Sequence, residues 1–405
     1  MKTIRKSMRL KNVHYEIRGP VLDEALRMEA AGADIIRLNI GNPAPFRFDA
    51  PDYLLEDLSL RLKEAQGYSD SRGVLEARLA IQKYHTGKGV EGLTLDNIFT
   101  GNGVSEMIIT SMQAFMDRGD EILVPAPDYP LWSSAICLTG GTPVHYICDE
   151  RSNWYPDIED MKSKITQNTK GIVVINPNNP TGALYPREVL EEIAQVAREN
   201  NLIIFADEIY DRLVMDGKEH VSMAAVAPDL FVIVYNGLSK SHMATGFRSG
   251  WMCMCGNTEC AKDYISGIRL IASMRLCSNV PAQIIIPKAL EDAYVTQSLY
   301  EPGGRLYEQR EFIWKALNDI DGLSAVKPEA AFYIFPKIDT ERFNITNDEQ
   351  FAFDLLRATN ILLVQGSGFN WKQPDHFRIA YLPETEILQD ATGRIAEFLK
   401  TYRQK

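Results

Sequence analysis

Lys240 stands in NGLSKSHMATGFRSGW (236–251), directly after the apolar run FVIVY. An amine at the end of a buried strand loses its hydration unless something pairs or uses its charge. Four other apolar runs end comparably, in TGNGVSE (100–106), APDYPLW (126–132), NPNNPTG (176–182) and ADEIYD (206–211). Each ending supplies groups that hydrogen-bond, carry charge or stack, and five such endings brought together make a pocket. GNGVSE places glycines and Ser105 at the start of a helix, where free N–H groups and the helix dipole favour an anion such as phosphate. By itself it is equally a plain strand–helix turn, because it lacks the full nucleotide-loop spacing. Tyr129 offers a flat ring for stacking, or is a packed turn residue. NPNNPTG reads as turn-rich backbone with the Asn179 amide free to donate, and its second Asn–Pro peptide, Asn179–Pro180, is a candidate for the cis form. Asp207 ends LIIFA and needs a partner with a proton to share, a structural salt bridge being the bland alternative. Tyr210, one helical turn on, falls on the same side.

A lysine near a carboxylate and a phosphate-sized anion site is the arrangement pyridoxal phosphate requires. The amine condenses with the aldehyde as a Schiff base, and Asp207 keeps the pyridine nitrogen protonated so that the ring withdraws electrons. Arg248 and Ser239 then close on the phosphate, the arginine through its planar fork of donors.

The elements that must position these residues are legible from patterning. IFTGNG, EILVPAP, PVHYICD, GIVVINP, LIIFADE, FVIVYNG and SGWMCM read as strands, separated by amphipathic stretches such as VSEMIITSMQAFMDRG and REVLEEIAQVAREN. Near-continuous apolar strands alternating with helices indicate an α/β fold whose mainly parallel sheet is covered on both faces, with ligands outside the carboxyl ends of the strands. Beyond residue 290 the pattern becomes a long helix, three short apolar runs and a C-terminal helix, expected to form a smaller α+β domain. The expected division is a large cofactor-binding domain over 46–289, a small domain over 290–405, and an N-terminal segment over 1–45 that packs on the small domain and covers the active site. A single continuous domain is the alternative.

The chain has 405 residues, 45% hydrophobic and 24% charged, enough for a sizeable core, and a net charge of −11. That charge argues against a nucleic-acid or anionic-membrane surface, so any anionic ligand must be held by local arginines. No apolar run is long enough to span a membrane, and the basic N-terminus lacks the apolar region of a secretory signal. Six sparse cysteines suggest a reducing cytoplasm. CMCGNTEC (253–260) resembles a metal knuckle but is expected to hold buried free thiols, with Cys253 and Cys255 on opposite faces of a strand. No metal is expected.

NPNNPTG, ADEIY, NGLSK and GFRSGW, in this order, resemble the class I/II aminotransferases of the aspartate-aminotransferase fold, over essentially the whole chain. VHYEIRGPVL, LNIGNPAPF, YPLW, PGGRLYEQR and LLVQGSGFNW are more specifically similar to bacterial glutamate–pyruvate (alanine) aminotransferases. The resemblance implies a seven-stranded, mostly parallel sheet, a small domain built from both termini, and a homodimer with active sites at the subunit interface. It also implies pyridoxal 5'-phosphate covalent to Lys240, Asp207 at the pyridine nitrogen, Tyr210 and Asn179 as donors to the ring oxygen, and Tyr129 as the stacking ring. Ser105, Glu106 through its backbone N–H, Ser239 and Arg248 would contact the phosphate, and Tyr68 in QGYSDSRG would reach the neighbour's phosphate. Arg378 in HFRIAYL would grip the substrate α-carboxylate, with Gly41 of NIGNP beside it. The chain departs from some relatives in having Gly237, without a hydroxyl, three residues before the lysine, which lightens the phosphate cup.

The implied reaction passes an amino group from glutamate to pyruvate, and the substrates are small amino acids and 2-oxo acids. A fixed, buried arginine for the glutamate γ-carboxylate would be left unpaired when alanine is bound. Arg18, beside Tyr15, is therefore expected to meet that carboxylate and to swing away otherwise. Other amino donors (aspartate, valine, an aromatic residue), a lyase or decarboxylase on the same fold, and an aminotransferase-like ligand sensor are the competing readings. A sensor would need a DNA-binding module, for which the sequence shows no helix-turn-helix.

Overall fold

The computed structural model describes residues 3–11, 13, 15, 17, 19–291 and 296–405. Its first strands are β1 (Ile36–Arg37), β2 (Ile98–Asn102), β3 (Glu121–Ala126), β4 (Thr142–Asp149) and β5 (Tyr155–Pro156). Next come β6 (Thr169–Ile175), β7 (Ile203–Asp207), β8 (Phe231–Gly237) and β9 (Ser249–Gly256). The short strands β10 (Leu323–Ser324), β11 (Tyr333–Ile334), β12 (Lys337–Ile338), β13 (Ile361–Leu362), β14 (Val364–Gln365) and β15 (Phe377–Ala380) complete the set.

One eight-stranded sheet has the order β2-β9-β8-β7-β6-β3-β4-β5. The run from β8 through β7, β6 and β3 to β4 is parallel, while β9 is antiparallel to both its neighbours. All seven apolar runs form strands of this sheet. The eighth, β5, pairs antiparallel with β4 over two residues at the edge, too short to leave an apolar signature in the sequence. Its Pro156 suits an edge, where one ladder donor is dispensable.

The strands are apolar throughout because each face has its own cover. Ile172 and Val174 of β6 enter one core and Val173 and Ile175 the other. The same period corrects the expectation for β9. Cys253 and Cys255 are two residues apart and share a face, packed in the first core, while Met252 and Met254 take the opposite one. Both thiols are buried and unpaired, and among the described residues no group of three or more His, Cys, Asp or Glu is placed to hold a metal ion. No helix of the described residues is long and apolar enough to cross a membrane.

The C-terminal part packs around another core, in which the helices Arg305–Asn318, Asp348–Thr359 and Thr385–Thr401 cover β11, β13 and β15. The N-terminal residues divide between cores. Val21, Ala25, Ile35 and Leu38 join the C-terminal one, and β1 pairs parallel with β13, whereas Ile17 packs with the sheet. The loops after β7 and β8 also reach across, with Tyr210, Leu213 and Met243 in the C-terminal core. The pocket therefore forms where two packed bodies meet at the carboxyl ends of the strands.

Candidate active site

Lys240 sits on a one-turn helix, Leu238–Ser241, directly after β8. Its Nζ donates to the Gly41 carbonyl at 2.7 Å and lies 5.8 and 5.4 Å from the centres of the Tyr210 and Phe332 rings. Burial, then the nearby Arg378 and Arg248 cations, push the amine down to about 7. Gly41 leaves no space for a side chain: a Cβ there would stand 1.8 Å from the Tyr333 hydroxyl oxygen.

Asp207 is the last residue of β7 and is buried. Its Oδ2 accepts from the Trp132 indole N–H at 3.1 Å and its Oδ1 from the Ile209 N–H at 3.4 Å. No ion pair to it is found among the described residues, and burial raises its carboxyl to about 6. A carboxylate held this way lacks only a cation.

Arg378, on β15, presents the complementary deficit. It is 2% exposed, and its face lies 4.4 Å from the centre of the Tyr333 ring and 4.6 Å from that of Phe369. Nη1 donates to Asn179 Oδ1 at 2.9 Å and Nη2 to the Asn39 carbonyl, while Nε is buried without a partner. Among the described residues no carboxylate pairs with it. Because a guanidinium only donates, the Asn179 atom facing it is the oxygen, which turns the Asn179 amide N–H groups elsewhere. The Tyr210 and Tyr333 hydroxyls bond at 2.9 Å, and those of Tyr15 and Tyr129 at 2.8 Å.

The expected anion site would lie at the start of the helix Val104–Phe115. Gly103 precedes it at φ +82°, and a Cβ there would lie 2.2 Å from Arg248 Nη2, so glycine is required twice over. Arg248 Nη1 donates to the Thr245 carbonyl at 2.9 Å and meets Ser239 Oγ at 3.5 Å, and no carboxylate pairs with Arg248 among the described residues. Ser105 lies in the helix's first turn. The Glu106 N–H is turned to the Gly103 carbonyl at 3.2 Å, and its carboxylate pairs with Arg275 at 2.8 Å.

The fold thus gathers Lys240, Asp207, Tyr210, Asn179, Gly41, Arg378, Tyr129 and Tyr15 at one pocket, with Ser105, Ser239 and Arg248 at its anion end. Tyr68 is 83% exposed and stands outside it. Arg18 lies outside the described residues. Among the described residues the cis peptides are Ala126–Pro127 and Asn176–Pro177, so the cis bond of NPNNPTG falls at its first Asn–Pro step and not at Asn179–Pro180. X–Pro isomers differ so little in energy that only the folded surroundings choose between them.

A buried carboxylate and a cation at a helix start, neither with an ion-pair partner among the described residues, and a buried lysine near that cation fit the pyridinium, phosphate and aldehyde of pyridoxal phosphate. Residues 33–395 match the family described as aminotransferase class I and II. This chain belongs to that family. Over 404 residues, and the whole of both chains, the aminotransferase is 53% identical to glutamate-pyruvate aminotransferase AlaA of Escherichia coli K12. It is 50% identical over 400 residues to an alanine aminotransferase of Mycobacterium tuberculosis H37Rv, covering 98% of this chain and 93% of the relative. Among solved structures, an Escherichia coli aminotransferase superposes over the whole of both chains with a TM-score of 0.99 at 53% identity. An alanine aminotransferase from Pyrococcus furiosus superposes with a TM-score of 0.93 at 40% identity, over 98% of this chain and 100% of that one.

Several residues of the aminotransferase pocket escaped sequence reasoning. Trp132 lies in the same APDYPLW loop as Tyr129, and a buried indole N–H needs an acceptor, so its bond to Asp207 had a faint signal. Tyr333, Phe332 and Phe369 had none, because an aromatic in a short strand or loop reads as core. Arg275, which ties the Glu106 carboxylate to the Ser71 and Thr100 carbonyls at 3.1 Å each, was equally silent.

Proposed function

We propose that this aminotransferase exchanges the amino group of glutamate with the oxo group of pyruvate, giving 2-oxoglutarate and alanine in two half-reactions at one site. The observation that supports amino transfer is the buried Lys240 amine, lowered to about 7 by burial and by the Arg378 and Arg248 cations. The substrate pair rests on full-length identity of 53% to a relative named for it.

When bound, pyridoxal phosphate supplies an aldehyde carbon that accepts the amino group and a cationic ring that draws electrons from the substrate α-carbon. Lys240 would hold it covalently, and Asp207 would keep its ring nitrogen protonated. Asn179 and Tyr210 donate to the ring oxygen, and Tyr129 stacks on the ring. Ser105, Ser239 and Arg248 would hold the phosphate, with Glu106 contributing only through its backbone N–H, which now faces the Gly103 carbonyl. Arg378 takes the α-carboxylate common to every substrate, beside Gly41. Lys240 Nζ, once free and neutral, removes the α-proton of the substrate. Arg18 meets the γ-carboxylate of glutamate with Tyr15 beside it.

The unit over 46–289 holds the cofactor, residues 290–405 form the small domain, and the first 45 residues close the site. We further propose a homodimer in which Tyr68 reaches the neighbour's phosphate. Its exposure, with that of Leu60, Leu62 and Leu75 near it in sequence, supports this reading. Six unpaired cysteines suit a cytoplasmic enzyme.

The test is purified protein with glutamate and pyruvate, followed for alanine and 2-oxoglutarate. Release of ammonia or loss of carbon without an acceptor would make it a lyase, and no turnover a sensor. Arg18→Ala should weaken glutamate more than alanine, and equal losses would remove that role.

A further inference from the structure

Behind the two loops that carry Asp207, Tyr210 and Asn179 lies a second set of enclosed polar groups. Lys88, just past the helix Leu75–Gly87, reaches Asp211 Oδ2 at 2.6 Å and His220 Nδ1 at 2.9 Å. Tyr84, on that helix, donates to the same Asp211 oxygen, whose side chain is 1% exposed. An ammonium only donates, so His220 Nδ1 must accept, and the ring proton is left on Nε2. Nε2–H then donates to the Asn176 carbonyl at 3.1 Å.

Asn176 is the node between the loops. Its N–H donates to the Asp207 carbonyl at 3.0 Å, and its Oδ1 accepts from the Tyr185 N–H at 2.8 Å. Three residues later stands Asn179, bonded to Arg378. Asn176 is thus tied through its N–H to the Asp207 carbonyl and stands three residues before the Asn179 that bonds Arg378. The His220 bond is what fixes its carbonyl.

We propose that His220 is a positioning residue for amino transfer. It holds the Asn176 carbonyl, and with it the spacing between Asp207 and the Asn179–Arg378 pair, and the Lys88–Asp211 pair sets which of its nitrogens donates. The proposal rests on the reading of the pocket given above. His220 touches neither substrate nor cofactor, so its loss should act on binding geometry and spare the chemistry of Lys240.

The experiment compares His220→Leu and His220→Gln as holoenzymes. Glutarate, a dicarboxylate with no amino group to react, serves as probe, its binding read from the visible absorption of the protein. Losing one buried tie should raise the glutarate dissociation constant and the glutamate KM about tenfold in His220→Leu, with kcat changed about twofold or less. His220→Gln, whose side-chain N–H can reach the Asn176 carbonyl, should restore both. Unchanged glutarate binding in His220→Leu, or equal impairment in the two variants, would overturn the proposal. Should His220→Leu fail to fold, the Lys88→Met/Asp211→Asn pair removes the tautomer control without leaving a lone buried charge. The same glutarate loss is expected there, and no loss would again overturn it. If the parent protein itself takes up no pyridoxal phosphate, the function proposed above falls instead.

Discussion

Replacing Asp207 with asparagine should have opposite effects on the cofactor-free and cofactor-loaded protein. Without cofactor, burial raises the Asp207 carboxyl from 3.8 to about 6. A carboxyl raised on folding favours the fold when protonated. That advantage is full below about 3.8 and is lost as pH rises through 6, above which the whole penalty stands. A little over two pH units at about 1.4 kcal/mol each gives a penalty of about 3 kcal/mol at pH 8. Asparagine removes it. Its amide oxygen can face the Trp132 N–H, but its NH2 then meets the Ile209 N–H, and that lost bond costs about 1 kcal/mol. Cofactor-free Asp207→Asn should therefore be about 2 kcal/mol more stable than the parent at pH 8, and the gap should close near pH 4.5. With pyridoxal phosphate bound the order reverses, because only the carboxylate meets a cation, and cofactor affinity should fall about tenfold to a hundredfold. Urea unfolding of the cofactor-free parent and variant at both pH values measures the four stabilities compared, and a cofactor titration measures the two affinities. A cofactor-free variant that is less stable at pH 8, or a gap independent of pH, would refute the claim that Asp207 lacks a cation in the protein itself.

Arg378→Leu should raise KM for glutamate and alanine alike by about a hundredfold, as expected for a bidentate charged contact shared by both; a loss confined to glutamate would move Arg378 to the distal carboxylate. Gly41→Ala places a Cβ 1.8 Å from the Tyr333 hydroxyl oxygen, beneath a buried arginine that cannot give way. A thermal melt should show about 1–3 kcal/mol of destabilisation, with kcat/KM falling as the Tyr333–Tyr210 bond breaks. The Lys240 amine, lowered to about 7, is neutral above that pH, so kcat should rise along a limb near 7. Arg248→Gln removes one of the cations that lower it, and at saturating cofactor the limb should move to higher pH; an unmoved limb would show that burial and Arg378 set the value without Arg248.

How much was legible follows from how local each cause is. Strand runs could be read because a sheet covered on both faces makes every residue of Ile172–Ile175 apolar, while the two-residue β5 left no such trace. The strand endings made Lys240, Asp207 and Asn179 candidates because polar groups at the mouth of a buried sheet need a purpose. The period-two error at Cys253 and Cys255 was avoidable, since alternation alone places them on one face. The choice of cis peptide in NPNNPTG was not, because it depends on neighbours far along the chain.

By itself, the order of residues determined the kind of sheet, and it pointed to the end that would carry ligand-binding groups and to an amine, a carboxylate and an anion site as candidates there. Each of these follows from local rules of patterning and desolvation. Only the tertiary structure decided that Asp207 and Arg378 have no ion pair among the described residues, that Tyr333 lies beneath the arginine and against Gly41, and that His220 reaches Asn176. Those facts are distances between segments remote in sequence, set when two packed cores close on each other, and no short stretch of chain contains them.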